Sequence, residues 1–248
     1  MCGMTNNILV FIPTYNEKNN VERLLRQILS LNVIGMDVLF IDDNSPDGTG
    51  EVIDALSHKH PGVFALHRKG KLGIGSAHKK GIEWAYKRSY KILITMDSDM
   101  THSPSYIPKL IKKSKEADLV IASRFLSKRS MVGWNYLRTL MSRLSHLMSK
   151  SVLGLNYDVS NAYRLYNLQK INSKIFDLVQ SDSYSFFYES LYILKQNGVM
   201  IVEIPVTLFS RKYGSSKMRL SDIYLHFRNL FILIFRNVFK PAEIKLNA

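Results

Sequence analysis

Asp97 and Asp99, in the stretch "ITMDSDMTHSP", stand two residues apart where an apolar run gives way to polar residues. On an extended chain residues i and i+2 share a face, so both carboxylates can point into one crevice. Hard divalent cations take oxygen ligands, and Mg²⁺ typically uses one or two carboxylates with substrate phosphates and water. A polar turn is the plainer reading of the same two residues. A second acidic pair, Asp42 and Asp43, ends another apolar run and opens the turn "NSPDGT". Adjacent like charges cost energy unless water, a cation or hydrogen-bond donors compensate. Carboxylates so placed can accept hydrogen bonds from a nucleobase or a ribose hydroxyl, while Thr49 can cap a following helix.

Three basic or glycine-rich stretches could act beside them. "KGKLGIGSAHKKG" (Lys69–Gly81) could hold phosphate on backbone N–H groups at a helix N-terminus, or serve as a flexible turn. It lacks the Walker spacing and does not fit the dinucleotide fingerprint. Arg211 and Lys217 flank the glycine–serine turn of "FSRKYGSSK", as in a lid that clamps a diphosphate, or as solvated loop charges. Arg138 lies near the start of an amphipathic segment, where a lone arginine is usually a surface residue. The seven histidines form no H-x-x-x-H or Cys/His cluster, which argues against zinc. No G-x-S-x-G elbow occurs.

The elements that must carry these residues alternate. "ILVFIPT", "DVLFIDD", "VFALHR", "KILITMD" and "DLVIASR" read as short strands, and segments with helical spacing of apolar residues separate them. Such β/α alternation predicts a parallel sheet with helices on both faces, with ligands outside the carboxyl ends of its strands. The polar clusters Tyr15–Glu17, Asp42–Asp47 and Asp97–Thr101 fall at those ends. Further on, Trp134, Leu137, Met141, Leu144 and Met148 form a helical stripe, with Leu140 and Leu147 beside it. "YDVSNAYRLY" reads as a strand, "SFFYESLYILKQNG" as a helix and "VMIVEIPVTLF" as one or two strands. The last segment, "LSDIYLHFRNLFILIFRNVF", is too polar to span a bilayer and suits either an interface or the protein's own core.

Charge narrows the partners. The formal net charge is +14, and no acidic residue occurs between Asp118 and Asp158. That asymmetry suggests nucleic acid, phospholipid headgroups or a phosphorylated substrate, or a solvated basic face. The single cysteine, Cys2, excludes an internal disulfide and suits a reducing compartment. The run Ile8–Ile12 is too short for a signal peptide, and no run reaches membrane-spanning length.

The segments "FIPTYNEKNNV", "IDDNSPDGT", "KLGIGSAHKKG", "MDSDMTHSP", "ASRF", "NAYRLY", "FFYE" and "IPVTLFSRKYGSSK" resemble, in sequence and order, the dolichol-phosphate (polyprenyl-phosphate) mannose synthases. These are inverting family-2 glycosyltransferases. The resemblance runs from about Ile8 to Met218. It implies an α/β nucleotide-diphospho-sugar transferase fold of the A type, Rossmann-like, with a mostly parallel sheet. A catalytic domain would span 1–218, with a nucleotide-binding part near 8–123 and an acceptor part near 124–218. Residues 219–248 would form an amphipathic helix at a membrane interface.

The same resemblance implies transfer of mannose from GDP-mannose to a polyprenyl monophosphate, with Mg²⁺ or Mn²⁺. Pro13, Tyr15, Glu17, Ile41 and Asp43 then correspond to nucleotide contacts, and Asp97 to a donor contact. Asp99 corresponds to the principal metal ligand, and Thr101, standing beside the metal where relatives carry Gln or Ser, to a second metal-site residue. Arg124 corresponds to a contact to sugar or phosphates, Arg211 and Lys217 to contacts to the donor diphosphate, and Arg138 to the anchor of the acceptor phosphate. The implied location is the cytoplasmic face of a membrane, reached directly or through a small membrane partner subunit. Other polyprenyl-phosphate hexosyltransferases share these motifs. A family-2 transferase acting on a saccharide hydroxyl would instead want a carboxylate base, for which Glu189 is the candidate. Nucleic acid is not an expected partner, because basic charge does not explain ordered acidic motifs.

Overall fold

The computed structural model describes residues 7–209 and 220–246. Strands β1 (Ile8–Thr14), β2 (Met36–Asp42), β3 (Val63–His67), β4 (Ile92–Thr95) and β5 (Leu119–Ser123) alternate with helices α1 (Lys18–Leu29), α2 (Thr49–Lys59), α3 (Ile74–Lys87) and α4 (Ile107–Lys113). The short strand β6 (Met131–Val132) leads to α5 (Tyr136–Leu153), β7 (Arg164–Asn167), α6 (Lys174–Asp177) and α7 (Phe186–Gln196). Strands β8 (Ile201–Pro205) and β9 (Leu208–Phe209) and the long helix α8 (Leu220–Phe239) complete the described strands and α-helices.

Seven strands form one sheet in the order β3-β2-β1-β4-β7-β5-β8. Alternation puts Leu9 and Phe11 of β1 into one core layer and Ile8, Val10 and Ile12 into the other. All seven residues of β1 are buried, as expected of a central strand covered on both faces. The sheet is parallel except for β7, which runs antiparallel between β4 and β5. Strands β7 and β8, from the expected acceptor part, thus complete the sheet begun by the nucleotide-binding part.

Two expectations change. Of "YDVSNAYRLY" only the end is strand, because its first half turns inward. The Asn161 side chain accepts from the Tyr163 N–H and donates to the Ala122 carbonyl, replacing ladder pairing. Trp134 precedes α5, whose Leu140, Leu144, Leu147 and Met148 stand exposed and do not join the core. Helix α8 both docks and faces outward. Leu233 is buried in the core, while Phe231, Phe235, Val238 and Phe239 are exposed. Among the described residues, no helix is long and apolar enough to cross a membrane.

Candidate active site

A cleft of about 540 Å³ opens at the carboxyl ends of β1, β2 and β4. Pro13, Tyr15 and Glu17 reach it from the end of β1, Asp43 from β2, and Asp97 and Asp99 from β4. Parallel strands bring these three loops together although they are far apart in sequence.

The loops are stitched to one another. The N–H groups of Asn16, Glu17 and Lys18 donate to the side chains of Ser45, Thr49 and Asp47. The polar turn "NSPDGT" therefore satisfies the entry to α1, where helix N–H groups lack intrahelical partners. Asp42 is buried and accepts from the Ser45 N–H and hydroxyl. Thr14, beside it, donates to the carbonyl of Ile41. Ile41 itself is fully buried in the core and reaches the cleft only through Thr14.

Asp43 faces the cleft in the grip of Arg68, whose Nε and Nη2 donate to its two oxygens at 2.5 and 2.6 Å. The same guanidinium donates to Ser76 and to the Gly73 carbonyl, which ties Asp43 to the start of α3. Lys71 stands over the Tyr15 ring, 5.0 Å from its centroid, and both line the cleft. Lys71 opens the "KLGIGSAHKKG" segment, whereas Arg68, at the end of β3, belongs to no motif and only its basic character hinted at it.

At the end of β4, the Thr101 hydroxyl and N–H both donate to Asp99 Oδ1, at 2.6 and 3.1 Å. Met100 between them has φ of 64°, a left-handed conformation rare for a side chain of its size. Thr101 is buried and does not line the cleft, so what it visibly does is orient Asp99. His102 accepts the Asp97 N–H on Nδ1, leaving the proton on Nε2, which lies 3.8 Å from the Asp97 carboxylate. Its ring stacks on Tyr163. This second orienting contact was hidden in the sequence by the lack of any histidine motif.

Arg124 does not line the cleft. It is buried, with Nε and Nη2 on Asp158 and a further Nη2 bond to Ser160, which does line the cleft. Burial alone would lower the Arg124 pKa, but the charge and hydrogen bonds of Asp158 outweigh it and raise the pKa. Burial likewise favours a neutral Asp158, yet Arg124 pulls its carboxyl below the ordinary range.

The glycines of "KLGIGSA" serve packing. The N–H groups of Gly75 and Ser76 donate to the Asp182 carbonyl at 2.9 and 3.3 Å, so the start of α3 is satisfied by protein. Gly73 has φ of 96°, and a Cβ there would strike the same carbonyl. A Cβ on Gly75 would lie 2.8 Å from the Ser181 carbonyl oxygen. The segment pressed against these glycines carries Ser183 and Tyr184, which form the far wall of the cleft.

Glu189 is buried. It accepts the N–H groups of Gln180 and Ser181 and an Arg236 Nη1 bond at 2.8 Å. The side chain of Arg138, within α5, and the whole of Arg211 and Lys217 lie outside the described residues.

The donor set on the near wall suits a hard cation that draws its remaining ligands from a bound diphosphate and water. Asp97 and Asp99, from the end of β4, both line the cleft. Among the described residues, no group of three or more His, Cys, Asp or Glu side chains forms a complete cage.

The family model described as Glycosyl transferase family 2 matches residues 9–181. The chain belongs to that family. Its fold is that of a family 2 glycosyltransferase. Among the curated relatives, an undecaprenyl-phosphate mannosyltransferase of Micrococcus luteus is 37% identical over 212 residues, covering 85% of this chain and 87% of the relative. A polyprenol monophosphomannose synthase of Mycolicibacterium smegmatis is 33% identical, covering 88% of this chain and 83% of its own length. Among solved structures, glucosyl-3-phosphoglycerate synthase from Mycobacterium tuberculosis, in complex with Mn²⁺, UDP and glucosyl-3-phosphoglycerate, superposes with a TM-score of 0.63 at 18% identity. That match covers 92% of this chain and 78% of the other. The same synthase in complex with Mg²⁺ and UDP gives 0.61 at 19% identity, covering 92% and 78%.

Proposed function

We propose that this family 2 glycosyltransferase moves a hexosyl group, mannose from GDP-mannose, to the phosphate of a polyprenyl monophosphate with inversion at the anomeric carbon. The observation that carries the reading is the commitment of Glu189. A hydroxyl acceptor wants a carboxylate base, and this carboxylate is held by two backbone N–H groups and a buried arginine. An acceptor phosphate needs no such base, because its second pKa is about 6 and it is largely ionised near neutral pH. It needs positioning, which arginine supplies through paired hydrogen bonds.

Pro13, Tyr15, Glu17 and Asp43 bind the nucleotide, with Asp43 oriented by Arg68. Asp97 orders the donor, held by His102. Asp99, oriented by Thr101, holds Mg²⁺ or Mn²⁺ together with the donor diphosphate. A divalent ion there neutralises the charge that develops on the leaving nucleotide. Arg211 and Lys217 approach that diphosphate as a lid, and Arg138 anchors the acceptor phosphate. Arg124 acts through Ser160 on the sugar side of the cleft.

The lipid acceptor implies contact with a membrane surface, direct or through a small membrane subunit. The exposed apolar residues of α5 and α8 and the net charge of +14 support a peripheral, salt-sensitive attachment. The curated relatives' names, each a lipid-phosphate mannose enzyme, support the same acceptor class. A panel of nucleotide sugars offered with a short polyprenyl phosphate and Mg²⁺ tests the proposal. Labelled lipid-phosphate mannose formed from GDP-mannose is the expected product. Transfer only to free saccharides would overturn it.

A further inference from the structure

The segment 180–184, whose Ser183 and Tyr184 form the far wall of the cleft, lies between α6 and α7 and belongs to no helix or strand. Its order comes from outside. On one side Asp182 accepts from the start of α3, and Lys79 Nζ donates to the Gln180 carbonyl. On the other, Gln180 and Ser181 donate their N–H groups to the two oxygens of Glu189, at 3.0 and 2.8 Å.

Glu189 is in turn held by α8. Arg236 donates to its Oε1, and the two side chains are only 4% and 6% exposed. The same guanidinium donates to the Leu178 and Glu243 carbonyls, and its Nε lies 3.3 Å from the Glu243 carboxylate. Two helical turns earlier, Asn229 Nδ2 donates to Ser181 Oγ at 3.4 Å. Leu233, buried between these two positions, completes one docked face.

We infer that Arg236, through Glu189, is a positioning residue for the nucleotide cleft, so that seating of α8 and binding of the donor are linked. The inference rests on the proposed nucleotide site for its ligand but on hydrogen bonds alone for its geometry. Removing Arg236 leaves Glu189 buried without its cationic partner, which is costly. The carboxylate then draws water or withdraws from the Gln180 and Ser181 N–H groups, and the wall carrying Ser183 and Tyr184 loosens. Linkage is reciprocal: a nucleotide that orders the wall must also hold α8 in place.

The test uses the full chain as wild type, Arg236→Met and Arg236→Lys, and follows amide hydrogen exchange with and without Mg²⁺ and GDP. In Arg236→Met, amides of Gln180, Ser181, Gly75 and Ser76 should exchange faster while those of β1 do not. Affinity for Mg²⁺–GDP should fall about tenfold, a common size for such coupling, and Arg236→Lys should recover part of it. In the wild type, Mg²⁺–GDP should slow exchange in residues 229–236. Exchange at 180–184 that is unchanged, or that rises only together with β1, would overturn the inference. So would equal nucleotide affinity in all three proteins. If the wild type does not bind Mg²⁺–GDP, the proposed donor fails, and the ligand-free exchange comparison still decides whether Arg236 positions the wall.

Discussion

Asp158 holds Arg124 at both ends, accepting from its backbone N–H and from its Nε and Nη2. The arginine is thereby fixed in direction, with Ser160 carrying its influence to the cleft. Glu203 braces the arrangement by accepting the Asp158 N–H, and burial raises its own pKa.

Asp158→Asn should therefore lower both stability and turnover. Breaking a buried pair by removing one partner costs about 3–5 kcal/mol, readable as a shift in a urea denaturation midpoint. Ser160→Ala should cost only about 1 kcal/mol while still slowing transfer. A turnover loss in Asp158→Asn that vanishes once the folded fraction is corrected for would sink the orienting role of Asp158.

Asp99→Ala should abolish Mg²⁺-dependent turnover. Thr101→Val, which removes the hydroxyl donor to Asp99, should raise the Mg²⁺ concentration for half-activation by about 10–100-fold. Thr101→Ser should restore most of it, because the donor returns. An Mg²⁺ activation curve for Thr101→Val that overlays the wild type would show that Asp99 needs no such support.

Gly75→Ala should loosen the cleft without touching any ligand. The added Cβ would meet the Ser181 oxygen at 2.8 Å and the Phe186 Cβ at 2.7 Å. Overpacking of this kind costs about 1–3 kcal/mol. The check pairs thermal denaturation with nucleotide binding, and an unchanged midpoint would mean that the wall gives way freely.

His78 provides a pH signature. It sits among Phe11, Phe186 and Phe187, and neither ring nitrogen has a hydrogen-bond partner. Burial first, then the charges of Arg164 and Arg68, push its pKa from 6.5 down to about 3. The folded protein thus keeps His78 neutral where the unfolded chain protonates it. Its contribution to stability is complete above pH 6.5 and is lost as the pH falls towards 3. The slope is at most about 1.4 kcal/mol per pH unit. His78→Leu should flatten that part of the stability profile, and an identical profile would exclude His78 as its source.

Much of this was legible in the sequence because it is local. Short continuous apolar runs followed by polar or acidic residues located β1, β2 and β4 and put Asp43, Asp97 and Asp99 at one edge. The partners that aim those carboxylates were not legible. Arg68 lies 25 residues from Asp43, Asp158 lies 34 from Arg124, and Arg236 lies 47 from Glu189. No spacing rule connects such residues, since only the folded sheet brings them together. The "KLGIGSA" glycines misled for the same reason. Their pattern suits a phosphate loop, but the carbonyl they accommodate, that of Asp182, comes from more than a hundred residues later. Glu189, equally, looked like a base until Arg236 supplied its partner.

The span matched by the family ends at residue 181, yet Ser183 and Tyr184 of the cleft and the whole of β8 lie beyond it. A chimera spliced at that border would join one protein's β5 to another's β8 and one protein's glycine turn to another's carbonyl. Exchange between relatives must therefore move the matched span and its trailing strand and helices as a single inherited block.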